Sequence, residues 1–436
     1  MNGPGVVGLY TEAATICRHA GYLERLQQDI GLNLLIVGFS GRLPDAVTAT
    51  TPYDGQPPSD DCLQALLCRH LDGAPSATRL SHLRQALGPH FYAGGDDGEL
   101  RAALALARRM GLSVWLLGGG WTVHDFDVAM FCPAKESVNR WYEAVYTHMA
   151  ADYGADGIDI THARYPMTSF PRGLGLCICG DCHRAAAELG YDLTAMVADL
   201  RSAWTRLTAL SSSRLAALGA DGLGATDVLQ ATGLAAGVAD WFQFRARLLE
   251  RNLTRFHRAV HRAAPPGFVF GVDTYPASLA MLVGHDQTRW DRFSDFASPL
   301  VSHLDIFPMQ TLAAWHATLS PQWPALSESA LLRLLYRLVG YDSLALPERL
   351  ADFALGEPDA EYRHVPLADF VLLDTAKARL YLPEHLPSYP IIQGGGAPHR
   401  WPRAFIERII AGLRDQGHQG YMLQGTASLV DYPMPG

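Results

Sequence analysis

The chain has 436 residues, of which 48% are hydrophobic and 18% charged, so it can bury a large core as one big barrel or as two ordinary domains. Its formal net charge of −9 and the lack of any run of Lys or Arg argue against a nucleic-acid partner. The sequence has no apolar stretch of about 18 residues and no signal-type N-terminal pattern, so we expect a cytoplasmic protein with no membrane partner.

The first quarter of the chain alternates between strand and helix patterns. Short apolar runs at residues 6–10 and 32–38 predict two strands, and helical spacing at 22–29 predicts a helix between them. Residues 39–95 are rich in Pro, Gly, Asp and Ser, which predicts a long loop excursion. Residues 96–110 begin with acidic residues and end with two arginines before a glycine, which predicts a helix.

The same alternation continues to the end of the chain and predicts a (β/α)8 TIM barrel. We interpret residues 1–436 as a single domain with two long loop insertions, at about 39–95 and 311–388. A doubly wound open sheet is the alternative; closure is favoured because no phosphate-binding glycine pattern follows the first strand and polar residues follow nearly every strand. The remaining predicted strands are 112–117, 157–161, 268–273, 301–306, 389–393 and 420–424, with helices at 135–151, 183–190, 238–262 and 403–412.

Four cysteines have the spacing of a metal site. Cys177, Cys179 and Cys182 form a C-x-C-x2-C pattern, and Cys132 is the candidate for the fourth ligand of a tetrahedral zinc ion. The alternative is a set of buried thiols, which is the interpretation we give to the other cysteines. Because all four ligands are cysteines, the Zn2+ is expected to be structural, with no open coordination position. The other cysteines are Cys17, Cys62 and Cys68.

The segment between residues 154 and 183 resembles that of glycoside-hydrolase-like TIM barrels. Residues 156–159 (DGID) and 164–166 (RYP) resemble the DGIxLDxxRYP fourth strand of that group, which a CxCxxC run commonly follows. Cys132, followed 45 residues later by the C-x-C-x2-C run, resembles the cysteine-bound zinc of glycoside hydrolase family forty-two beta-galactosidases. The resemblance implies a glycosidase-type barrel, a carbohydrate ligand and structural zinc.

The sequence departs from that resemblance at one position that matters for catalysis. The second acidic position of the fourth strand, which carries a key carboxylate in the resembling pattern, is Thr161 here. Strand alternation places Asp159, Thr161 and Ala163 on one face, so Asp159 alone keeps a carboxylate there. Asp159 could equally form an internal ion pair with Arg164 that braces the barrel.

Glycoside cleavage needs two carboxyl groups on either side of one bond, one of them protonated. Strand-end carboxylates of a barrel face the same mouth, so acids that follow strands are the candidates. Asp273 is the best acid/base candidate because it has no obvious neighbouring charge in the sequence. The catalytic candidates are Asp159, Asp273 and Asp305. The candidate substrate-binding residues are Glu12, Trp121, His162, Arg164, Tyr165, Tyr275, Gln393 and His399.

Two classes of function follow from these residues. The first is a hydrolase that cleaves O-glycosyl bonds in a carbohydrate or glycosylated small molecule by carboxylate acid/base chemistry. The second, suggested by Thr161, is a non-hydrolytic protein of glycosidase fold: a lyase, cyclase or isomerase on a sugar-like or natural-product ligand, or a protein that only binds such a ligand. Homo-oligomerisation is open in both cases.

Overall fold

The structure of the chain is a computed structural model. It describes all residues except 1–4, 52, 54–58, 70–76, 88–96, 125–127, 168–170, 219–221, 223, 234, 304, 354–364, 395–400, 402 and 425–436. At 77, 85–87, 124, 225, 305 and 306 it describes the backbone alone.

Eight parallel strands form the central sheet, which confirms the predicted TIM barrel. The strands are β1 Val6–Thr11, β2 Leu34–Gly38, β3 Ser113–Gly119, β4 Thr122–His124, β5 Ala129–Met130, β6 Gly157–Thr161, β7 Val269–Thr274, β8 Ala297–Pro299, β9 Ile391–Gln393 and β10 Gly420–Gln424. The sheet runs in the order β8-β7-β6-β3-β2-β1-β10-β9, and it closes through the parallel bridges Ala297–Ser388 and Leu300–Ile391 between its two ends. The small antiparallel pair β4–β5, which the sequence did not predict, follows β3.

Helices follow most of the strands. Among the helices of the described residues, none has the length and apolarity needed to cross a bilayer. The α-helices are Ala13–Arg18, Ala20–Ile30, Asp45–Thr48, Asp60–Leu66, Ala77–Leu87, Gly98–Arg109, Glu136–Asp152, Gly180–Glu188, Leu193–Thr208, Ser212–Leu218, Ala225–Thr232, Ala236–Ala263, Gln310–Leu319, Glu328–Val339, Leu367–Tyr381 and Arg403–Asp415. Short 3-10 helices occur at Arg172–Gly175, Ala280–Val283, Gln287–Arg292 and Leu350–Phe353, and a π-helical turn at Asp305–Met309.

Stacked aromatic side chains fill the barrel toward the N-terminal ends of the strands. Trp115 and Phe296 stack with their ring centroids 4.3 Å apart. Glycine is required beside them, since a Cβ on Gly157 would lie 2.8 Å from Trp115 Cδ1 and one on Gly271 would overlap the Phe296 ring. The lower barrel is therefore a packed core, and polar side chains are concentrated toward the C-terminal ends of the strands.

The predicted sixth strand at residues 301–306 is wrong. The strand lies earlier, at Ala297–Pro299, and residues Asp305–Met309 form a π-helical turn. Residues 301–306 (VSHLDI) misled the prediction because their mixture of apolar and polar residues fits a half-buried strand. The true strand contains Ser298 and Pro299, so it has no apolar run to reveal it. Between β7 and β8 the chain forms 3-10 helices rather than the α-helix of a regular unit.

Candidate functional site

Two buried aspartates lie toward the C-terminal ends of adjacent barrel strands. Asp159, on β6, is completely buried. Its Oδ2 accepts a hydrogen bond from the Tyr10 hydroxyl at 2.5 Å, and its Oδ1 accepts one from Ser298 Oγ at 3.3 Å. Burial raises the pKa of Asp159 to about 6, although both hydrogen bonds favour the ionised form and act against that rise. Asp159 is thus an acid held in place from two other strands.

Asp273 lies on β7 and is 4% exposed. Its Oδ2 accepts a hydrogen bond from Thr161 Oγ1 at 2.6 Å, and its strand partner in the register with β8 is Ser298. Burial, and next the negative charge of Asp159, raise the pKa of Asp273 to about 7, while the Thr161 hydroxyl and the positive charge of Arg164 act to lower it.

These environments give the two acids the properties that acid/base chemistry requires. With a pKa of about 7, Asp273 can carry a proton at neutral pH, and its electrostatic interaction with Asp159 makes simultaneous ionisation unfavourable. A pair of carboxyl groups that shares a site in this way can supply one acid and one base. The arrangement brings together two of the three predicted catalytic residues.

A buried cation, Arg164, lowers the pKa of Asp273 through its positive charge. The guanidinium of Arg164 is 1% exposed and lies over two aromatic rings, 4.6 Å from the centroid of Tyr275 and 4.9 Å from that of Phe307. The cation–π contacts compensate part of the cost of burying its charge. Arg164 thus acts on Asp273 electrostatically, whereas the sequence had suggested an ion pair with Asp159.

The other predicted binding residues are distributed around the barrel. Glu12 is exposed at the start of helix Ala13–Arg18, and Gln393 is 2% exposed on β9. Trp121 is 1% exposed; its Nε1 donates to Asn139 Oδ1 at 3.1 Å, so its ring belongs to the core rather than to an open mouth. The side chain of Asp305 and all of His399 lie outside the described residues.

A cavity of about 240 Å3 opens beside the C-terminal end of β3. It lies against helix Glu136–Asp152 and is largely apolar, with Phe39, Trp141 and Met149 in its wall. His162, half-buried and with a left-handed backbone (φ 58°), lines the cavity and follows Thr161 directly. Neither Asp159 nor Asp273 lines it. The cavity and the acids are therefore separate features that meet near residues 161 and 162.

The four predicted zinc ligands come together. The Sγ atoms of Cys132, Cys177, Cys179 and Cys182 all lie within 4.8 Å of one another. Cys132 Sγ is 3.5 Å from that of Cys179 and 3.6 Å from that of Cys182. A tetrahedral ion with Zn–S bonds of about 2.3 Å separates its sulfur ligands by a little under 4 Å, so the cluster fits zinc with small adjustment.

Backbone contacts shape the cysteine cluster. The backbone N–H of Arg69 donates to Cys177 Sγ at 3.1 Å. The turn that carries Cys132 is held through the Pro133 carbonyl, which accepts from Asn139 Nδ2 at 2.9 Å and from Asn252 Nδ2 at 2.6 Å. An N–H···S bond of this kind favours a thiolate, and the amides connect the cluster to two long helices.

The buried polar groups beside the cluster fit a negatively charged metal centre. Arg245 is completely buried, and among the described residues its Nε and Nη1 have no hydrogen-bond partner. Its guanidinium lies 3.9 Å from the ring centroid of Tyr165, whose buried hydroxyl also lacks a described partner. Burial lowers the pKa of Arg245 to about 10, so it stays charged at neutral pH. A buried cation needs a compensating anion.

Zinc bound to four thiolates would carry a net charge of −2, which has the sign needed to compensate a buried cation such as Arg245. The field of the cysteines reaches this region, since negative charge at Cys182, Cys68 and Cys132 further raises the pKa of Tyr165, which burial already raises. Cys132, Cys177, Cys179 and Cys182 therefore fit a structural zinc ion in both geometry and charge.

Sequence reasoning missed several residues of these two sites. Tyr10 and Ser298 hold Asp159, and strand alternation could have placed Tyr10 on the inner face of β1. Cys68 was interpreted as a plain buried thiol; it is buried, and its Sγ lies 3.8 Å from the Phe131 carbonyl, next to Cys132. Arg245 has no local signal, because its surroundings form only in the folded chain.

No family description matches this sequence, and no curated protein matches it either. Among solved structures, the chain is similar to the catalytic domain of a beta-amylase from Paenibacillus polymyxa, at 10% identity and a TM-score of 0.44 over 97% of this chain and 93% of that one. It is also similar to a beta-galactosidase from Marinomonas ef1, at 9% identity and a TM-score of 0.36 over 97% and 76% of the two chains. An endo-1,4-beta-D-mannanase from Thermotoga petrophila RKU-1 gives 8% identity and a TM-score of 0.36 over 97% and 88%. Similarity at this level assigns no activity to the chain, and the likeness to family forty-two stays a prediction.

Proposed function

We propose that the protein is an acid/base enzyme that acts on a glycosidic bond in a carbohydrate or a glycosylated small molecule, with Asp273 as the proton-transferring group. The observation that supports this most is the environment of Asp273: it is buried on β7 next to a second carboxyl group, with a pKa raised to about 7. A group with a pKa near the working pH is the most effective general acid or base.

In this proposal Asp273 donates a proton to the leaving oxygen, and the ionised Asp159 stabilises the positive charge that develops on the sugar ring. Tyr10 and Ser298 keep Asp159 ionised and oriented. Arg164 favours release of the proton from Asp273, since its positive charge lowers the pKa of that group. Water then adds to the sugar, and its proton returns to Asp273. Tyr275, stacked on Arg164, fixes the position of the guanidinium.

Asp273 supplies an acid at the position where the resembling pattern has a carboxylate and this chain has Thr161. The hydroxyl of Thr161 lies within hydrogen-bonding distance of Asp273, so the carboxyl group from β7 lies next to the place that an acidic residue 161 would occupy. The departure in the sequence is thereby compensated from the neighbouring strand.

The deep burial of Asp159 favours a second candidate function. Asp159 is completely buried and accepts hydrogen bonds from Tyr10 and Ser298, as a carboxyl group with a purely structural role would. In that case Asp273 would be the single catalytic acid. One acid/base group suits a lyase, cyclase or isomerase reaction on a sugar-like or natural-product ligand, or a binding role.

We also propose that one Zn2+ is bound by Cys132, Cys177, Cys179 and Cys182 and has a structural role. The convergence of the four sulfurs supports this, together with the buried charge of Arg245, which has no anionic partner among the described residues. A closed tetrathiolate site has no position for substrate, so the ion stabilises the loop after β6 and takes no part in the reaction.

A screen of aryl glycosides with wild type, Asp273→Asn and Asp156→Asn tests the catalytic proposal. Asp156 is the matched control because it directly precedes β6 at the opposite end of the barrel, where its Oδ2 accepts a hydrogen bond from the Val114 N–H at 2.8 Å. We expect cleavage by wild type and by Asp156→Asn and none by Asp273→Asn. Ligand binding without cleavage in wild type would favour the second candidate.

A further inference from the structure

Two histidines and an aspartate converge at the end of the barrel opposite to the proposed active site. His257 and His261 lie one turn apart near the C-terminus of helix Ala236–Ala263, and Asp295 precedes β8. His257 Nε2 is 3.0 Å from Asp295 Oδ1, and His261 Nε2 is 2.8 Å from Asp295 Oδ2. All three ligand atoms lie within 4.8 Å of one another.

The carboxylate of this group is fixed by the barrel. Asp295 Oδ2 accepts a hydrogen bond from the Phe270 N–H at 2.8 Å, and the Asp295 N–H donates to the Phe270 carbonyl at 2.8 Å. The His257 ring packs edge-on against the Phe270 ring, with centroids 5.8 Å apart. A backbone donor that orients a carboxylate ligand and packing that holds an imidazole are the supporting contacts that metal sites use.

The donor set suits a divalent transition metal. Two histidines four residues apart on one helix present their nitrogens to the same point, and a carboxylate supplies one negative charge. Tetrahedral bonds of about 2.0 to 2.2 Å from zinc place two ligand atoms about 3.3 to 3.6 Å apart. The nitrogen–oxygen pairs are now 2.8 and 3.0 Å apart across their hydrogen bonds, so small side-chain movements would admit the ion. The side chains are 24%, 34% and 32% exposed for His257, His261 and Asp295, so solvent can deliver the ion and supply a further ligand.

We propose that His257, His261 and Asp295 form a second metal site, which binds a divalent transition-metal ion such as Zn2+ with water completing its coordination. The site is separate from the cysteine cluster in ligand type as well as in place. It is open to solvent, whereas the cysteine site is closed, so its ion exchanges more readily and can be removed by a chelator that leaves the cysteine-bound ion in place.

Metal titration of the full chain tests this proposal with Zn2+ and Co2+ as probes. The protein is treated with a mild chelator, dialysed, and titrated with each metal while bound metal is counted by elemental analysis. Cobalt distinguishes the two sites, because thiolate ligands give intense charge-transfer absorption and a site of nitrogen and oxygen ligands gives only weak d–d bands.

His257→Gln is the informative variant, since glutamine keeps an N–H donor for Asp295 but is a poor metal ligand. His385→Gln is the matched control: His385 Nε2 lies 3.3 Å from Asp291 Oδ2 as a single exposed histidine–aspartate pair. We expect wild type and His385→Gln to bind a second equivalent with weak d–d absorption, and His257→Gln and Asp295→Asn to lose it, with affinity at least about tenfold lower.

A second equivalent that survives in His257→Gln would overturn the proposal. The proposal would also fail if every metal ion bound by the wild type showed thiolate absorption. The three residues would then form only a hydrogen-bonded brace. Both readouts are independent of catalysis and of the cysteine-bound ion, which is recognised by its charge-transfer bands.

Discussion

Thr161 Oγ1 donates a hydrogen bond of 2.6 Å to Asp273 Oδ2, from the end of β6 to β7. This contact joins the position where an expected carboxylate is missing to the carboxyl group that we propose takes its place. It also sets the acidity of that group, because a hydroxyl donor stabilises the ionised form and opposes the effect of burial.

Thr161→Val should raise the pKa of Asp273 further above its value of about 7. A hydrogen bond to a charged group contributes about 1.5 to 3 kcal/mol, which corresponds to a change of about one to two pKa units. Carbon-13 NMR titration of the Asp273 carboxyl group measures the shift. Thr274→Val is the control, since the Thr274 hydroxyl accepts from Gln287 Nε2 at 2.9 Å and donates to the Tyr275 carbonyl rather than to Asp273. An unchanged pKa in Thr161→Val would contradict this role of the hydroxyl.

Asp273→Asn should stabilise the protein at alkaline pH and have little effect in acid. The pKa of Asp273 is raised to about 7 in the folded protein, whereas an unfolded aspartate has a pKa of about 3.9. Between these two pH values, the folded protein keeps a proton on Asp273 that the unfolded chain has lost. The resulting penalty grows with pH until Asp273 ionises near 7, and it reaches about 1 to 4 kcal/mol. Urea unfolding at acidic and at alkaline pH measures the difference in free energy of unfolding between wild type and variant. An equal difference at both pH values would refute the prediction.

Cys177→Ser should abolish the proposed zinc binding and lower stability. Loss of one thiolate opens a site that depends on four sulfurs within 4.8 Å of one another, and loss of a structural metal is among the most destabilising of single changes, on the order of 5 kcal/mol. Elemental analysis and thermal unfolding measure both effects. Cys17→Ser is the control, because Cys17 is exposed and outside the cluster. Equal zinc content in the two variants would exclude the tetrathiolate site.

Arg245→Met should have opposite effects on the metal-free and the zinc-bound protein. Without metal, removal of a buried charge that lacks a described anionic partner should leave stability unchanged or higher. With zinc bound, loss of the compensating charge should weaken zinc binding about tenfold or more, which is about 1.4 kcal/mol. Competition with a chromophoric chelator and unfolding of both forms measure these effects. Equal destabilisation of both forms would show that Arg245 only packs.

Particular residues show how far the sequence could predict this molecule. The strands at Gly157–Thr161 and Gly420–Gln424 were predicted to the residue, because each is a short apolar run with clear ends. The sixth strand was missed, since Ala297–Pro299 has no such run and the segment 301–306 that follows it has a mixed pattern that also fits a strand. Cysteine spacing indicated the metal ligands, because a tetrahedral site constrains positions near one another in sequence.

Long-range partners could not be predicted in the same way. Tyr10 and Asp159 are 149 residues apart in sequence and meet only because barrel closure brings β1 and β6 to face each other across the interior. Arg245 reaches the cysteine region through the packing of helix Ala236–Ala263. Contacts of this kind depend on strand order and helix packing rather than on local pattern, so they are visible only in the folded structure.

The central claim is that Asp273 transfers a proton to a glycosidic oxygen, and the pH dependence of kcat/KM for aryl glycosides tests it most directly. We predict that wild type cleaves such substrates and that kcat/KM falls as the pH rises through the Asp273 pKa of about 7. Asp273→Asn should remove the activity, and with it this pH dependence. Asp156→Asn should keep both. Cleavage by Asp273→Asn at the wild-type rate, or a wild type that cleaves no glycoside at any pH, would contradict the claim.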